Sequence, residues 1–512
     1  MFDLTKRSNV NTDLGLLENT VFSLNLATPA INSKYFRLFI AVVFTTVSVA
    51  AGTSNSYASS VLPEKNEQTR SLSGKRTQSY PNFEPPRGGA IVHLFNYPFQ
   101  KITESLQEVK DLGFDYIQIA PPQLSRGDRE WFGRYQPLDY RIIDGRLGNL
   151  KDLKQLISEA RKLDIGIIAD VVLNHTANLG KFYNLDYPPK WVRDKYGVSP
   201  LFNSSHFHSP FCIQDYDDRY QVLNGRLCDL SNPNDGGLPD LDLDNEYVVS
   251  VHRDYLYNLK ALGIAGFRID AVKHMEVRYF RKILDKDLTD GLLIFGEVIA
   301  DKYKYDQDLR PYLEGTNMKL MDFPYQKSFV DAFRYGSDIR ILLARDDSKR
   351  KIPEERAILF VINHDIPNNG QTFSHLLMSR DDERLAHMFM FARKGGIPHI
   401  YSDLGKRDLL SSNRWVNYHS KPFIKDGLEF YNATFNEPQM VIYADRCAIA
   451  IKRGQRALAT LNKCNKDVKI FLKSTIEVNL TDRVHGIRIF SGNISKGTNL
   501  KIPRRSVQYF LP

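Results

Sequence analysis

The sequence predicts a parallel β/α barrel interrupted by an inserted subdomain after its third strand and followed by an antiparallel β-sandwich. Eight short apolar runs alternate with segments whose apolar residues recur at helical spacing. Between His175 and about Leu241 that rhythm stops, and Pro, Asn, Asp, Tyr and Gly dominate. After about Pro438 the helical stripes disappear and only strand-like runs remain.

The first run, Ala90 to Phe95, reads as a buried strand, and Ile102, Leu106 and Val109 form a helical stripe that Gly113 ends. Tyr116 to Ile119 is the second strand, closed by Pro121-Pro122. Leu150, Leu153, Ile157, Ala160 and Leu163 mark the next helix, and Ile167 to Val172 the third strand. A loop of the length that follows is unusual in a compact domain, so 176–240 is expected to be a subdomain of its own. Val248, Val251, Tyr255, Leu259 and Leu262 make one helical stripe, stopped by Gly263 before the strand that ends at Asp270. Val277, Phe280, Leu284 and Leu288 predict one helix over 277–288, and Leu292 to Phe295 a strand ending near Glu297. Lys319 to Asp322, Ile358 to Ile362 and Ile397 to Tyr401 complete the eight, with a helix over 385–392. The runs 441–444, 448–452 and 457–462 open the β-sandwich, giving a barrel over 87–437 and a C-terminal domain over 438–512.

The chain has 512 residues, 42% hydrophobic and 25% charged, ordinary values for a globular protein of more than one domain. Its formal charge of +9 is scattered among acids with no basic block beside a nucleic-acid-binding motif, which argues against a nucleic-acid partner. Residues 1–33 are polar, and Lys34 and Arg37 precede an apolar run, Leu38 to Ala51, of signal-peptide length but short for a stable membrane anchor. With Ser56-Tyr57-Ala58 as a small-residue cleavage region, 1–58 reads as an export segment and the polar stretch 59–86 as a linker. Export to the cell exterior or periplasm suits the four cysteines, expected to pair locally as Cys212–Cys228 and Cys447–Cys464.

Asp170, Asp270, Glu297 and Asp365 each stand at the C-terminal end of a different predicted strand, the rim of a parallel barrel where catalytic groups gather. Arg268 and Asp270, two apart on one strand, share a face, and a carboxylate in an apolar run requires such a partner to stay ionised. On that stretch alone, a structural ion pair is the alternative. Several acids on one rim, with His175, Lys273 and His364, suit glycosidic bond cleavage, in which one acid attacks the anomeric carbon and another protonates the leaving oxygen.

From about Arg87 onward the chain resembles the α-amylases of glycoside hydrolase family 13. The resemblance rests on Asp170-Val-Val-Leu-Asn-His175, Gly266-Phe-Arg-Ile-Asp-Ala-Val-Lys-His274, Phe295-Gly-Glu-Val298 and Val361-Ile-Asn-His-Asp365. Ile91-Val-His-Leu-Phe95 and Trp131-Phe-Gly-Arg-Tyr-Gln-Pro137 are similar to the animal-type members. The resemblance implies retaining endo-hydrolysis of α-1,4-glucans by a monomer, with Asp270 as nucleophile, Glu297 as acid/base and Asp365 gripping the sugar hydroxyls. It implies substrate contacts from Trp131, Tyr135, Gln136, His175, Arg268, Lys273 and His364. It also implies a structural calcium ion on Asn174, Asp240 and the carbonyls of His274 and Arg226, oxygen ligands of the kind calcium takes. Animal-type members bind chloride through an Arg, an Asn and a second Arg or Lys. Arg268 and Asn363 match the first two, but His399 stands at the third, so chloride dependence is not expected. The same residues would serve a transglycosylase or a maltooligosaccharide-specific enzyme. A membrane-anchored, non-catalytic relative is disfavoured by the intact acids.

Overall fold

The computed structural model describes residues 82–511 apart from 128–129, 182, 301, 335, 370–372, 405–413 and, within 472–498, all but 481–482, 487–488 and 497. The proposed export segment, 1–58, and nearly all of the linker lie outside the described residues. Eight parallel strands close into a barrel: β1 (Ile91–Phe95), β2 (Tyr116–Ile119), β3 (Gly166–Val171), β4 (Gly266–Ile269), β5 (Leu293–Gly296), β6 (Lys319–Met321), β7 (Ala357–Leu359) and β8 (Ile397–Asp403). Each lies on its predicted run, because a strand covered on both faces must be apolar almost throughout. β1 pairs with β8 and β2, and the register sets Asp170 opposite Arg268 across β3 and β4.

Helix α1 (Phe99–Leu112) buries Phe99, Ile102, Leu106 and Val109 and ends at Gly113, whose φ of 100° favours glycine. Helix α2 (Leu150–Lys162) starts from a capping box between Asn149 and Asp152. The inserted segment contains α3 (Arg219–Asn224), is bonded Cys212 to Cys228, and buries its own small cluster of Ile213, Tyr216 and Val222. Helix α4 (Glu246–Leu262) departs from its predicted stripe. Val251 and Leu262 are half-buried, while Val249, His252 and Leu256 are covered as well. The His252 ring packs against Tyr140 and Phe202, so this helix buries a wider face than one stripe. The helix predicted over 277–288 is two, Val277–Ile283 and Lys286–Thr289, since the Asp285 side chain accepts from the Leu288 amide and starts a new helix.

Beyond the barrel, β9 (Gln439–Ala444), β10 (Ala448–Arg453), β11 (Ala457–Asn462), β12 (Val468–Phe471), β13 (Thr481–Asp482), β14 (Ile487–Arg488), β15 (Asn499–Ile502) and β16 (Ser506–Leu511) form two antiparallel sheets. Their orders are β9-β10-β11-β16-β13-β14 and β12-β15. Ala448, Ala450, Leu458 and Phe510 of the larger sheet pack with Val468, Ile470, Leu500 and Ile502 of the smaller, the two-layer core expected of a sandwich. The second bridge, Cys447–Cys464, joins the ends of β10 and β11. Tyr509 stacks on Phe430 of the helix Pro422–Thr434, with ring centroids 4.8 Å apart, and so fastens the sheets to the barrel. Among the described residues no helix is long and apolar enough to cross a membrane.

Candidate active site

Arg268 is the centre of the site. It points into the barrel from β4 and is 1% exposed. Its Nη1 donates to Asp170 Oδ1 at 2.8 Å and to Asp270 Oδ1 at 2.7 Å, and Nη2 makes an ion-pair contact with Glu297 Oε1 at 2.6 Å. Burial works to strip its charge, but Asp170, Glu297 and Asp270 hold its pKa well above the ordinary arginine value. One guanidinium thus orients acids from three strand ends, which suits its planar fork.

The acids are buried in turn. Burial raises Asp270 above the usual carboxylate range while Arg268 pulls the other way. The expected ion pair is therefore present, but the guanidinium is divided among three carboxylates and does not outweigh desolvation. Glu297 is raised by burial, opposed by Arg268 and reinforced by the charge of Asp270. Asp365 is raised well above its ordinary value by burial and by the neighbouring Glu297. Asn363 Nδ2 and Asn369 Nδ2 donate to the two Asp365 oxygens at 3.2 and 3.1 Å. Asp170, held up at about 7 by burial, accepts from the Tyr135 hydroxyl at 2.9 Å as well as from Arg268.

Aromatic side chains wall the cleft above these acids. Tyr135, on the turn Trp131–Tyr135, lies parallel to His364 with ring centroids 5.2 Å apart, and Trp131 stands edge-on to both. Trp131, Tyr135, Gln136, His175, Lys273 and His364 all line the cleft with Asp270, Glu297 and Asp365. Among the predicted substrate residues, Arg268 alone lies beneath that surface, reaching the cleft through the acids it binds. His175 Nε2 donates to the Tyr135 carbonyl at 3.0 Å, and burial lowers its pKa to about 4, so it is neutral. Lys273 is tied to buried Asp308 at 2.8 Å. The Gln136 carbonyl oxygen is occupied by the Asn178 amide and Arg126.

Sequence reasoning missed Asp308, Asn369 and Gln118. Asn369 stands one helical turn after Asp365 and could have been found by that spacing. Gln118 is an amide within the otherwise apolar and aromatic β2, the signal of a side chain facing a polar barrel interior. Asp308 follows no pattern that marks it.

Where a calcium site is implied, Asn174 Nδ2 donates to Asp240 Oδ1 at 3.0 Å, and the buried Asn174 Oδ1 has no hydrogen-bond partner. Asp240, raised to about 7 by burial, accepts from His208 Nδ1 at 2.7 Å. The His274 ring donates to the Val222 carbonyl at 2.9 Å, holding α3 against the turn after β4. The Arg226 carbonyl accepts from the Ile213 amide at 3.1 Å, leaving one lone pair. An orphaned amide oxygen beside a buried carboxylate is an oxygen set that fits calcium. The chloride position does not fit an anion. His399 Nε2 donates to Gln118 Oε1 at 2.8 Å, Gln118 Nε2 donates to Asp170 at 3.3 Å, and burial with Arg268 lowers His399 to about 3. The Asn363 amide is spent on Asp365.

A profile of the family "Alpha amylase, catalytic domain" matches residues 98–408. An α-amylase of Aeromonas hydrophila is 36% identical over 402 residues, covering 75% of this chain and 86% of that enzyme. Pancreatic α-amylase of Rattus norvegicus is 26% identical over 368 residues, covering 64% and 67%. The fold is similar to that of α-amylase I from Eisenia fetida, with a TM-score of 0.65 at 21% identity over 85% of this chain and 97% of that one. With the barrel, the rim acids and these matches together, the chain belongs to the α-amylase family and is a glycoside hydrolase of α-1,4-glucans.

Proposed function

We propose that the site performs retaining endo-hydrolysis of starch and glycogen, with Asp270 as nucleophile and Glu297 as acid/base. The observation that carries these roles is the single Arg268 guanidinium touching both, while Asp365 lines the same cleft and raises the charge crowding around Glu297. Carboxyl groups held that close together suit the retaining geometry. Arg268 favours the charged form of Asp270, which attacks the anomeric carbon. The proton that burial and the neighbouring acids keep on Glu297 passes to the leaving oxygen, and Glu297 then takes a proton from the water that releases the sugar from Asp270. Tyr135 and His364 offer the sugar ring flat apolar faces, and Asp365 accepts from its hydroxyls. Soluble starch tests the reading. Reducing ends should rise while viscosity falls early, and an absence of new reducing ends would remove it.

Asn174, Asp240 and the carbonyls of His274 and Arg226 would hold calcium, which would supply a positive charge joining the inserted segment to the barrel. Binding confined to the folded state stabilises it by about 2.7 kcal/mol at a free concentration one hundred times Kd. Excess chelator should therefore lower the Tm of the wild type, and lower it less in Asp240→Ala. An unchanged melting curve would remove calcium from the account.

Chloride should not activate. His399 is neutral and its Nε2–H is committed to Gln118, while the field of Arg268 is taken by three carboxylates. Turnover of starch at pH 7 is expected to be equal in chloride-free and chloride-containing buffer. Strong activation would show a second cation there. Export with cleavage of 1–58 is proposed from the apolar run and is supported by two disulfide bridges, which persist in oxidising compartments.

A further inference from the structure

Asn369 lines the cleft beside Asp365 and is 4% exposed, with its side-chain amide turned onto that acid. Resting on the reading of Asp365 as the group that accepts from sugar hydroxyls, we propose that Asn369 is a positioning residue for hydrolysis, which together with Asn363 keeps the Asp365 carboxylate charged and fixed towards the sugar.

Its place follows from the turn that carries Asp365. The one-turn helix Asp365–Asn368 ends where the Asn369 amide donates to the Asp365 carbonyl at 2.8 Å, which brings the two side chains to one face. Asn369 Nδ2 then donates to Asp365 Oδ1 at 3.1 Å. From the other side Asn363 Nδ2 donates to Oδ2 at 3.2 Å. The Asn363 Oδ1 accepts from the Ile366 amide at 3.1 Å, so the orientation of that side chain is set as well. One donor on each oxygen fixes the plane of the carboxyl group. Each oxygen keeps a further lone pair for a sugar hydroxyl.

The groups around Asp365 make those two donors matter. Burial, Glu297 and Asp270 disfavour its ionised form, and Arg268 opposes them. Arg268, however, makes its contacts with Asp170, Asp270 and Glu297, and acts on Asp365 only across a distance. His364 Nε2 lies 3.6 Å from Oδ1, but burial holds His364 well below the ordinary histidine range, so it brings no positive charge. Tyr135, stacked on His364, is kept neutral by burial. Among the described residues, the hydrogen-bond donors on Asp365 are thus the two asparagine amides. A donor to the charged form of an acid favours that form, and an ionised carboxyl group accepts at both oxygens.

Steady-state kinetics on amylose across pH test the proposal. Asn369→Leu, of similar size, should lower kcat by about tenfold, the factor that one hydrogen bond to a charged group carries, with KM within about twofold. The acid limb of its kcat–pH profile should move up by about one unit, because Asp365 without that donor takes up its proton at higher pH. Asn369→Asp, which replaces the donor with a like charge, should lower kcat at pH 7 at least as far. Wild-type kcat in either variant, or an acid limb that stays in place in Asn369→Leu, overturns the proposal. A side chain that only supports the fold would lower Tm and leave that limb where it is. Asp365→Asn separates this failure from failure of the reading beneath it. That variant should lose most of its turnover, and near-wild-type turnover would remove the role of Asp365 and the proposal with it. In the Asp365→Asn background Asn369→Leu should have no further effect on the residual rate, and a second loss of about tenfold would show that Asn369 acts elsewhere.

Discussion

Glu297→Gln should lower starch turnover by about 10²–10⁴-fold, the usual contribution of a positioned general acid. Asp270→Asn should leave no measurable turnover, since an amide cannot form the glycosyl intermediate. Charge is the physical reason for the first effect. Glu297 lies with Asp365 and Asp270 in a space where burial raises every carboxyl, so a proton is retained among them at a pH at which a surface glutamate has lost it. Gln keeps the shape but cannot give that proton to a leaving oxygen. Both variants should melt cooperatively, because each swap is isosteric and removes charge from a crowded group of acids. Near-wild-type turnover in either variant would overturn the role assigned to that residue.

Arg268→Met should destabilise the folded protein by about 3–5 kcal/mol at neutral pH, the usual effect of breaking a buried ion pair by removing one partner. Asp170, Asp270 and Glu297 would lose the cation that each of them contacts. Their pKa values, already raised by burial, would rise further, and the folded state would hold protons that the unfolded chain releases above about pH 4. A carboxyl with a raised folded pKa loses stability as pH rises through that interval. The deficit of the variant should therefore be larger at pH 7 than at pH 5. Urea titrations at the two values measure it, and an equal or smaller deficit at pH 7 would show that the guanidinium is not what balances the three acids.

Much of this was legible in the sequence because a parallel barrel imposes simple rules. Each strand is a short apolar run with an acid at or just beyond its C-terminal end, so Asp170, Asp270, Glu297 and Asp365 could be read before their distances were known, though only the last three line the cleft and Asp170 is buried beneath it. The Arg268–Asp270 pair was legible from a two-residue spacing on one strand. That Arg268 also serves Asp170 and Glu297 was not, because it depends on the register of β4 against β3 and β5. The break after Ile283 was hidden by an apolar stripe that continues through Leu284 and Leu288, and only the Asp285 cap reveals it. The Lys273–Asp308 pair joins residues 35 apart and left no trace in local pattern.

The central claim is a two-step displacement in which Asp270 attacks first. Proton NMR of the first product released from a maltooligosaccharide tests it most directly. Two inversions return the original configuration, so the account predicts the α-anomer, followed by slow mutarotation towards the equilibrium mixture. A β-anomer as the first-formed product would contradict it, because water would then have attacked the anomeric carbon directly and Asp270 would not be the nucleophile.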